Sequence, residues 1–317
     1  MMNVKCFKID FLIEKIIELL LRVFFLVVRP VEKLLIKKYS KGVVKYQPVF
    51  IIGAPRTGST ILYQVLTNVA DVLYIDNLAH RFYRNLFFGI WLSRKVFGIK
   101  PHNNFKADHG RTTKYGMHAP SECGDFWYRW LPLDQHFIAE DDICEKVVSE
   151  IRDEILAISN YHMRPIVFKN LNAGQRLRLL KRAFPNAKFI FIKRDSIFTV
   201  NSIINARVKN NIATGEWWSI KPKNYRDLLQ LDEVDMCMAQ VFYLERQIKD
   251  DLQILYSNNF KELNFAHLSN DIVNELIGWL KFDAKVGQLP EFVKDDIRSI
   301  ERMRQIILRE ASSKYEF

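Results

Sequence analysis

Apolar residues fall into two rhythms along this chain. Short, nearly unbroken apolar runs alternate with longer stretches in which apolar positions recur every three or four residues. The first rhythm reads as buried strand and the second as amphipathic helix. Strands are predicted over residues 47–53, 72–76, 165–169, 187–195 and 262–267. Helices are predicted over residues 58–70, 78–97, 141–161, 173–184, 196–204 and 224–257, with an amphipathic helix running on to residue 279. The spacing is clearest at 141–161, where Ile143, Val147, Ile151, Ile155 and Ile158 share one face. Strands alternating with helices predict an α/β fold, a parallel sheet covered on both faces. Two stretches, 98–125 and 207–223, keep neither rhythm and read as insertions over the active site. No linker divides residues 46–317, which are expected to form one domain; residues 1–45 stand apart as an apolar and basic segment.

Within that segment, residues 11–28 are strongly apolar, but Glu14, Lys15, Glu18 and Arg22 interrupt them. A spanning helix needs about 20 mostly apolar residues, and charges within it are costly. A signal peptide needs an uninterrupted apolar core and a small-residue cleavage site, and neither is present. An amphipathic helix is expected, broken near Pro30 and followed by Lys33, Lys37, Lys38, Lys41 and Lys45. Two placements stay open: on an anionic membrane face, or docked on the domain or a subunit contact. The expected location is cytoplasmic, with peripheral contact at the inner membrane face under the first placement.

Composition adds a sign. The 317 residues carry a net charge of +11, which suggests anionic partners such as a nucleotide, an acidic glycan or a membrane surface. Nothing resembles a nucleic-acid-binding motif, so no nucleic-acid partner is expected. Cys6, Cys123, Cys144 and Cys237 are far apart, which excludes a C-x-x-C zinc site and fits a reducing compartment.

The chemistry concentrates after the first strand, in Gly53-Ala54-Pro55-Arg56-Thr57-Gly58-Ser59-Thr60. A strand, a glycine-rich turn and a helix start make a phosphate cradle, in which free N–H groups and the helix dipole face the anion. The spacing fits a Walker A loop, but Ser59 stands where the lysine belongs. That lysine reaches the β and γ phosphates of a nucleoside triphosphate, so its absence argues against a kinase or NTPase. The loop instead resembles the 5′-phosphosulfate loop of sulfotransferases that use 3′-phosphoadenosine 5′-phosphosulfate (PAPS). A second segment extends the resemblance: the 187–195 strand ends in Arg194, and Ser202 lies eight residues on, in the next helix. In the family an Arg and a Ser at this spacing hold the 3′-phosphate. Ser196 and Phe198 depart from the Pro and Asp often found there but leave both ligands in place.

The resemblance, to the bacterial-type sulfotransferases, implies a three-layer α/β/α, P-loop-kinase-like fold and in-line sulfuryl transfer from PAPS as co-substrate, without a metal. The acceptor would be a hydroxyl of a glycan, a lipid-linked saccharide or a small molecule. Arg56, Thr57, Gly58, Ser59 and Thr60 would hold the 5′ side, with Arg56 also stabilising the leaving group. Arg194 and Ser202 would hold the 3′-phosphate. Lys169, at the end of the third strand, matches a lysine that contacts the transferring group. The histidine base that follows it in cytosolic members is replaced here by Leu171 and Asn172. Three residues stay open as the base. Asp76 ends the second strand, where other branches of the family place a carboxylate, but an N-cap is its alternative role. Glu122 and His118 lie in a stretch that also holds His109, Arg111 and Asp125, fits no metal-ligand spacing, and shows a Pro-x-Glu that recurs in the bacterial enzymes. Trp127 and Trp130 read as acceptor-stacking or core residues, and residues 215–222 as a lid or acceptor-site segment. A non-catalytic membrane-peripheral binding module remains the non-enzyme alternative.

Overall fold

The structure, a computed structural model, describes residues 27–42, 45–108, 110–292 and Ile306. Four parallel strands form its sheet: β1 (Val49–Ile52), β2 (Val167–Lys169), β3 (Lys188–Lys193) and β4 (Phe260–Asn264), in the order β2-β1-β3-β4. The helices are α1 (residues 27–39), α2 (Ser59–Val69), α3 (Asn77–His80), α4 (Leu86–Phe97), α5 (Gly124–Trp127) and α6 (Glu145–His162). They continue with α7 (Leu177–Ala183), α8 (Ser196–Lys209), α9 (Tyr225–Leu228), α10 (Glu233–Tyr256) and α11 (Asn270–Leu280).

Strand β1 is buried along its whole length, and its alternation sorts side chains into two cores. Val49 and Ile51 pack with residues of α2 and α11 on one face. Phe50 and Ile52 pack with residues of α4, α6, α7 and α10 on the other. The result is three layers with the sheet in the middle. Phe50 pairs in register with Phe168 of β2 and Phe189 of β3. The three rings form a cross-strand ladder, with centroids 5.4 Å and 5.3 Å apart. Tyr256 continues it from Phe189 at 4.5 Å.

Several expected elements change form. The strand over residues 72–76 is reduced to a parallel bridge between Leu73 and Ile166 at the sheet edge, after which the chain turns into the Asp76 cap of α3. The helix expected over 78–97 divides into α3, a 3-10 turn at Tyr83–Asn85, and α4. Glu32 of α1 accounts for the restart, because its carboxylate accepts the Phe88 N–H in the first turn of α4 at 3.1 Å and takes a hydrogen bond from the Asn85 amide. The 224–257 helix divides at Asp232, which caps α10 by accepting from the N–H groups of Val234 and Asp235. Helix α1 runs through Pro30 without the expected break. Proline fits helical φ, and at this first described turn it forgoes no bond within the described residues. Residues 11–26 of the apolar segment lie outside the described residues. Among those that are described, no helix is long and apolar enough to cross a membrane.

Removing the centre of the aromatic ladder tests this account of the core. Phe50→Ala should cost about 3–5 kcal/mol in denaturant unfolding, and Phe50→Leu markedly less.

Candidate active site

The loop after β1 is shaped by close approaches. A Cβ on Gly53 would lie 2.3 Å from the Ile192 carbonyl oxygen of β3, so only glycine lets the loop pass. Gly58, with φ +88, is the N-cap of α2, and a Cβ there would strike the Phe265 ring at 2.2 Å. No side chain caps α2, and its first residues, Ser59, Thr60 and Ile61, line the cleft. Between the glycines, Arg56 holds a left-handed backbone, φ 70. Two bonds fasten that strained residue. Its Nε donates to Ser202 Oγ at 3.0 Å, and its carbonyl accepts from Arg194 Nη1 at 3.0 Å. The two segments singled out in the sequence therefore meet through direct contacts. Burial, then the nearby Arg194 charge, holds the Arg56 guanidinium below its ordinary pKa. Arg194 leaves β3 just before Asp195 caps α8, and it lies 5.4 Å from the Phe265 ring centre.

Lys169 ends β2, in register with Ile51 of β1, and is 5% exposed. Its Nζ donates to Glu122 Oε2 at 2.5 Å, while Glu122 Oε1 accepts from the Leu171 N–H at 3.3 Å. Glu122 reaches this point because its loop is hooked to the sheet edge: the Ser121 N–H donates to the Ile75 carbonyl at 2.7 Å. Gly110 approaches from the same insertion, its Cβ position 3.6 Å from Lys169 Nζ and 3.5 Å from Thr60 Oγ1. Arg56, Ser59, Thr60, Glu122, Lys169 and Arg194 all line one cleft of about 580 Å³.

A sequence model of the sulfotransferase family matches residues 48–280, most of the chain and all of these residues. The chain belongs to the sulfotransferase family. A comparison with curated protein sequences finds no match. Three solved structures are similar at low identity. Sulfotransferase STF9 from Mycobacterium avium has a TM-score of 0.47 and 13% identity, over 87% of this chain and 70% of that one. A sulfotransferase from Alicyclobacillus acidocaldarius has 0.42 and 16%, over 85% and 92%. The sulfotransferase domain from the curacin biosynthetic pathway has 0.43 and 13%, over 75% of each chain.

Within this sulfotransferase, several candidate residues sit elsewhere than the sequence suggested. Asp76 does not face the cleft. It is fully buried, its carboxylate accepting from the Ala79 N–H at 2.8 Å and from the Ser93 hydroxyl at 2.5 Å, so it serves as the cap of α3. Burial pushes its pKa up to about 6. His118 also lies off the cleft, accepting or donating at 2.8 Å to the Tyr74 hydroxyl and stacked 4.2 Å from the Phe97 ring centre. Burial lowers its pKa to about 4. The Thr57 hydroxyl turns inward to the Ala54 carbonyl at 2.9 Å and braces the loop. Trp127 is core, and Trp130 donates its indole N–H to Glu150 at 2.7 Å. Asp125 pairs with His80 at 2.9 Å, Arg111 is exposed, and His109 lies outside the described residues. Among the described residues no cluster of His, Cys, Asp and Glu is arranged to hold a metal.

The insertion at 215–222 does reach the cleft, through Trp218, Ser219, Ile220 and Lys221. Sequence reasoning missed Tyr128, His136 and Phe265, which also line it, and gave Asn172 only a place in the motif. Asn172 Nδ2 donates to the Tyr128 hydroxyl at 2.7 Å. His136 Nδ1 accepts the Lys221 N–H at 2.8 Å, which leaves the ring proton of the neutral form on Nε2. Burial lowers its pKa to about 4. An aromatic-rich turn after Pro-x-Glu was the one signal pointing to Tyr128; His136 and Phe265 carried none.

Asp76→Asn separates a cap from a base. Asparagine is an equally good N-cap, and its amide can donate to Ser93. Because folding raises the Asp76 pKa, its contribution to stability is fullest below about pH 4 and is lost as pH rises toward 6. Unfolding of Asp76→Asn should lack that loss and be more stable at pH 7 by up to about 3 kcal/mol, with transfer activity retained. Loss of activity in the folded variant would return Asp76 to the chemistry.

Proposed function

We propose that this sulfotransferase moves a sulfuryl group from PAPS to an acceptor hydroxyl, with Glu122 as general base. The observation that carries the reading is the convergence of Arg56, Lys169 and Arg194 with one carboxylate, Glu122, in a single cleft beside an uncapped helix start. This donor set fits a nucleotide carrying anionic groups at both its 5′ and 3′ positions. The 53–60 loop and the start of α2 would take the 5′ side, and Arg194 with Ser202 the 3′-phosphate. When bound, PAPS supplies an activated sulfuryl group on a phosphate leaving group.

The chain's own residues do the rest. Glu122 accepts the proton of the acceptor hydroxyl as the new O–S bond forms. Lys169 and Arg56 offset the charge that builds on the departing phosphate oxygen as the old S–O bond breaks. The products are a sulfate ester and 3′,5′-adenosine bisphosphate. Positioning and electrostatics suffice for such a transfer, as they do for phosphoryl groups. The acceptor would be a hydroxyl of a glycan, a lipid-linked saccharide or a small molecule.

Thermal unfolding reads the donor site directly, because a ligand of the folded state raises the melting temperature. 3′,5′-Adenosine bisphosphate should raise it strongly and 5′-AMP little, and Arg194→Ala should weaken the bisphosphate roughly tenfold or more. A shift with ATP and Mg²⁺ alone would sink the PAPS reading. For the base, Glu122→Gln should lower kcat about 10²–10⁴-fold while bisphosphate binding persists. Wild-type turnover in that variant would exclude Glu122 as the base.

A further inference from the structure

Part of the cleft wall is built by Tyr128, Leu133, His136 and residues 218–221, and its polar groups are unevenly matched. Lys221 lines the cleft with no carboxylate partner among the described residues. Its Nζ donates to the Asp134 backbone carbonyl at 2.9 Å and lies 4.9 Å from the Tyr225 ring centre. Its backbone is pinned by the His136 bond, and Ser219 beside it holds a left-handed φ of 69. The segment that carries Lys221 is thus fastened at the cleft wall.

Behind the same wall sits Arg176, 2% exposed. Its Nη2 donates to the Pro132 carbonyl at 3.2 Å, and its guanidinium lies 5.7 Å from the ring centre of Tyr128, itself a cleft residue. Nε and Nη1 have no partner. Among the described residues no carboxylate pairs with Arg176. A buried cation left without a counter-charge is expensive and calls for a compensating anion or a function. The Tyr128 hydroxyl accepts from Asn172, which leaves its own proton to donate into the cleft. The nearest acid on the cleft wall, Glu122, is held by Lys169 and the Leu171 N–H.

We propose that this part of the cleft wall selects an anionic acceptor, whose carboxylate, phosphate or sulfate is held by Lys221 against a wall made positive by Arg176. The inference deepens the sulfuryl-transfer reading and rests on it for the word acceptor. The two Arg176 N–H groups without acceptors and a Lys221 ammonium without a carboxylate favour a ligand rich in anionic oxygen over its neutral analogue. The aromatic and aliphatic members of the wall, Trp218, Leu133 and Ile220, would pack the body of the molecule that carries the charge.

Isosteric acid and amide pairs test this. The protein is saturated with 3′,5′-adenosine bisphosphate, so that the donor end is filled. The further thermal shift is then measured with glucuronate against glucuronamide, and with 4-hydroxybenzoate against 4-hydroxybenzamide. The acid of at least one pair should raise the melting temperature clearly above its amide. In Lys221→Gln that increment should vanish while the bisphosphate shift stays whole. No contrast in either pair, or a contrast that survives Lys221→Gln, overturns the proposal. Failure of the donor reading looks different: the bisphosphate itself gives no shift. The same pairs applied to the protein alone then decide whether the wall selects anions.

Discussion

The site depends on Arg56 and Arg194 being held side by side at the cleft. Burial, and then the nearby Arg194 charge, disfavours the charged form of Arg56. What keeps them in place is two hydrogen bonds, one to main chain and one to a side chain. The Arg194 guanidinium binds the Arg56 carbonyl, and the Arg56 guanidinium binds Ser202. The Arg56 backbone is itself in a left-handed conformation, which persists only when its surroundings over-determine it. The dipole of α2 points the same way. On the proposed reading, a polyanion arriving here would meet a positive field that is already assembled.

The sheet explains how three distant cations come together. All four strands are parallel, so their carboxyl ends lie on one edge, where open α/β sheets bind ligands. With β1 between β2 and β3, the segments leaving those strands deliver Arg56, Lys169 and Arg194 to one place. Register fixes the depth, since Lys169 pairs beside Ile51, one residue before β1 ends. The Phe168, Phe50 and Phe189 ladder runs across the same three strands. The core that stabilises the sheet also sets the spacing of the charges.

The parts of this arrangement that were legible in the sequence are local. The glycine turn after β1, Arg194 with Ser202, and Lys169 at a strand end each lie within one strand and the turn or helix that follows it. The alternation of elements was enough for the layered architecture. What the sequence hid was contact across the chain. Asp76 ends an apolar run and Glu122 sits in a Pro-x-Glu, but neither local pattern says which of the two reaches the cleft. Ser93, seventeen residues further on, encloses Asp76, whereas Lys169 claims Glu122 from forty-seven residues away. Helix boundaries failed for the same reason. Glu32 supplies the groups that restart α4, and it lies more than fifty residues upstream.

On the proposed transfer, Leu171 and Asn172 leave the proton acceptor to be found elsewhere in the cleft, and the geometry limits where. Asn172 cannot accept a proton, and its amide is engaged with Tyr128. His136 lines the cleft, but its one basic nitrogen is occupied by the Lys221 N–H. His118 and Asp76 are enclosed within their own hydrogen-bonded surroundings. Glu122 is the acid that lines the cleft among the described residues, and it touches the lysine expected at the transferring group. On the proposed transfer, this ion pair joins the group that would take the acceptor's proton to the group that would meet the donor, so the two ends of the reaction share one contact.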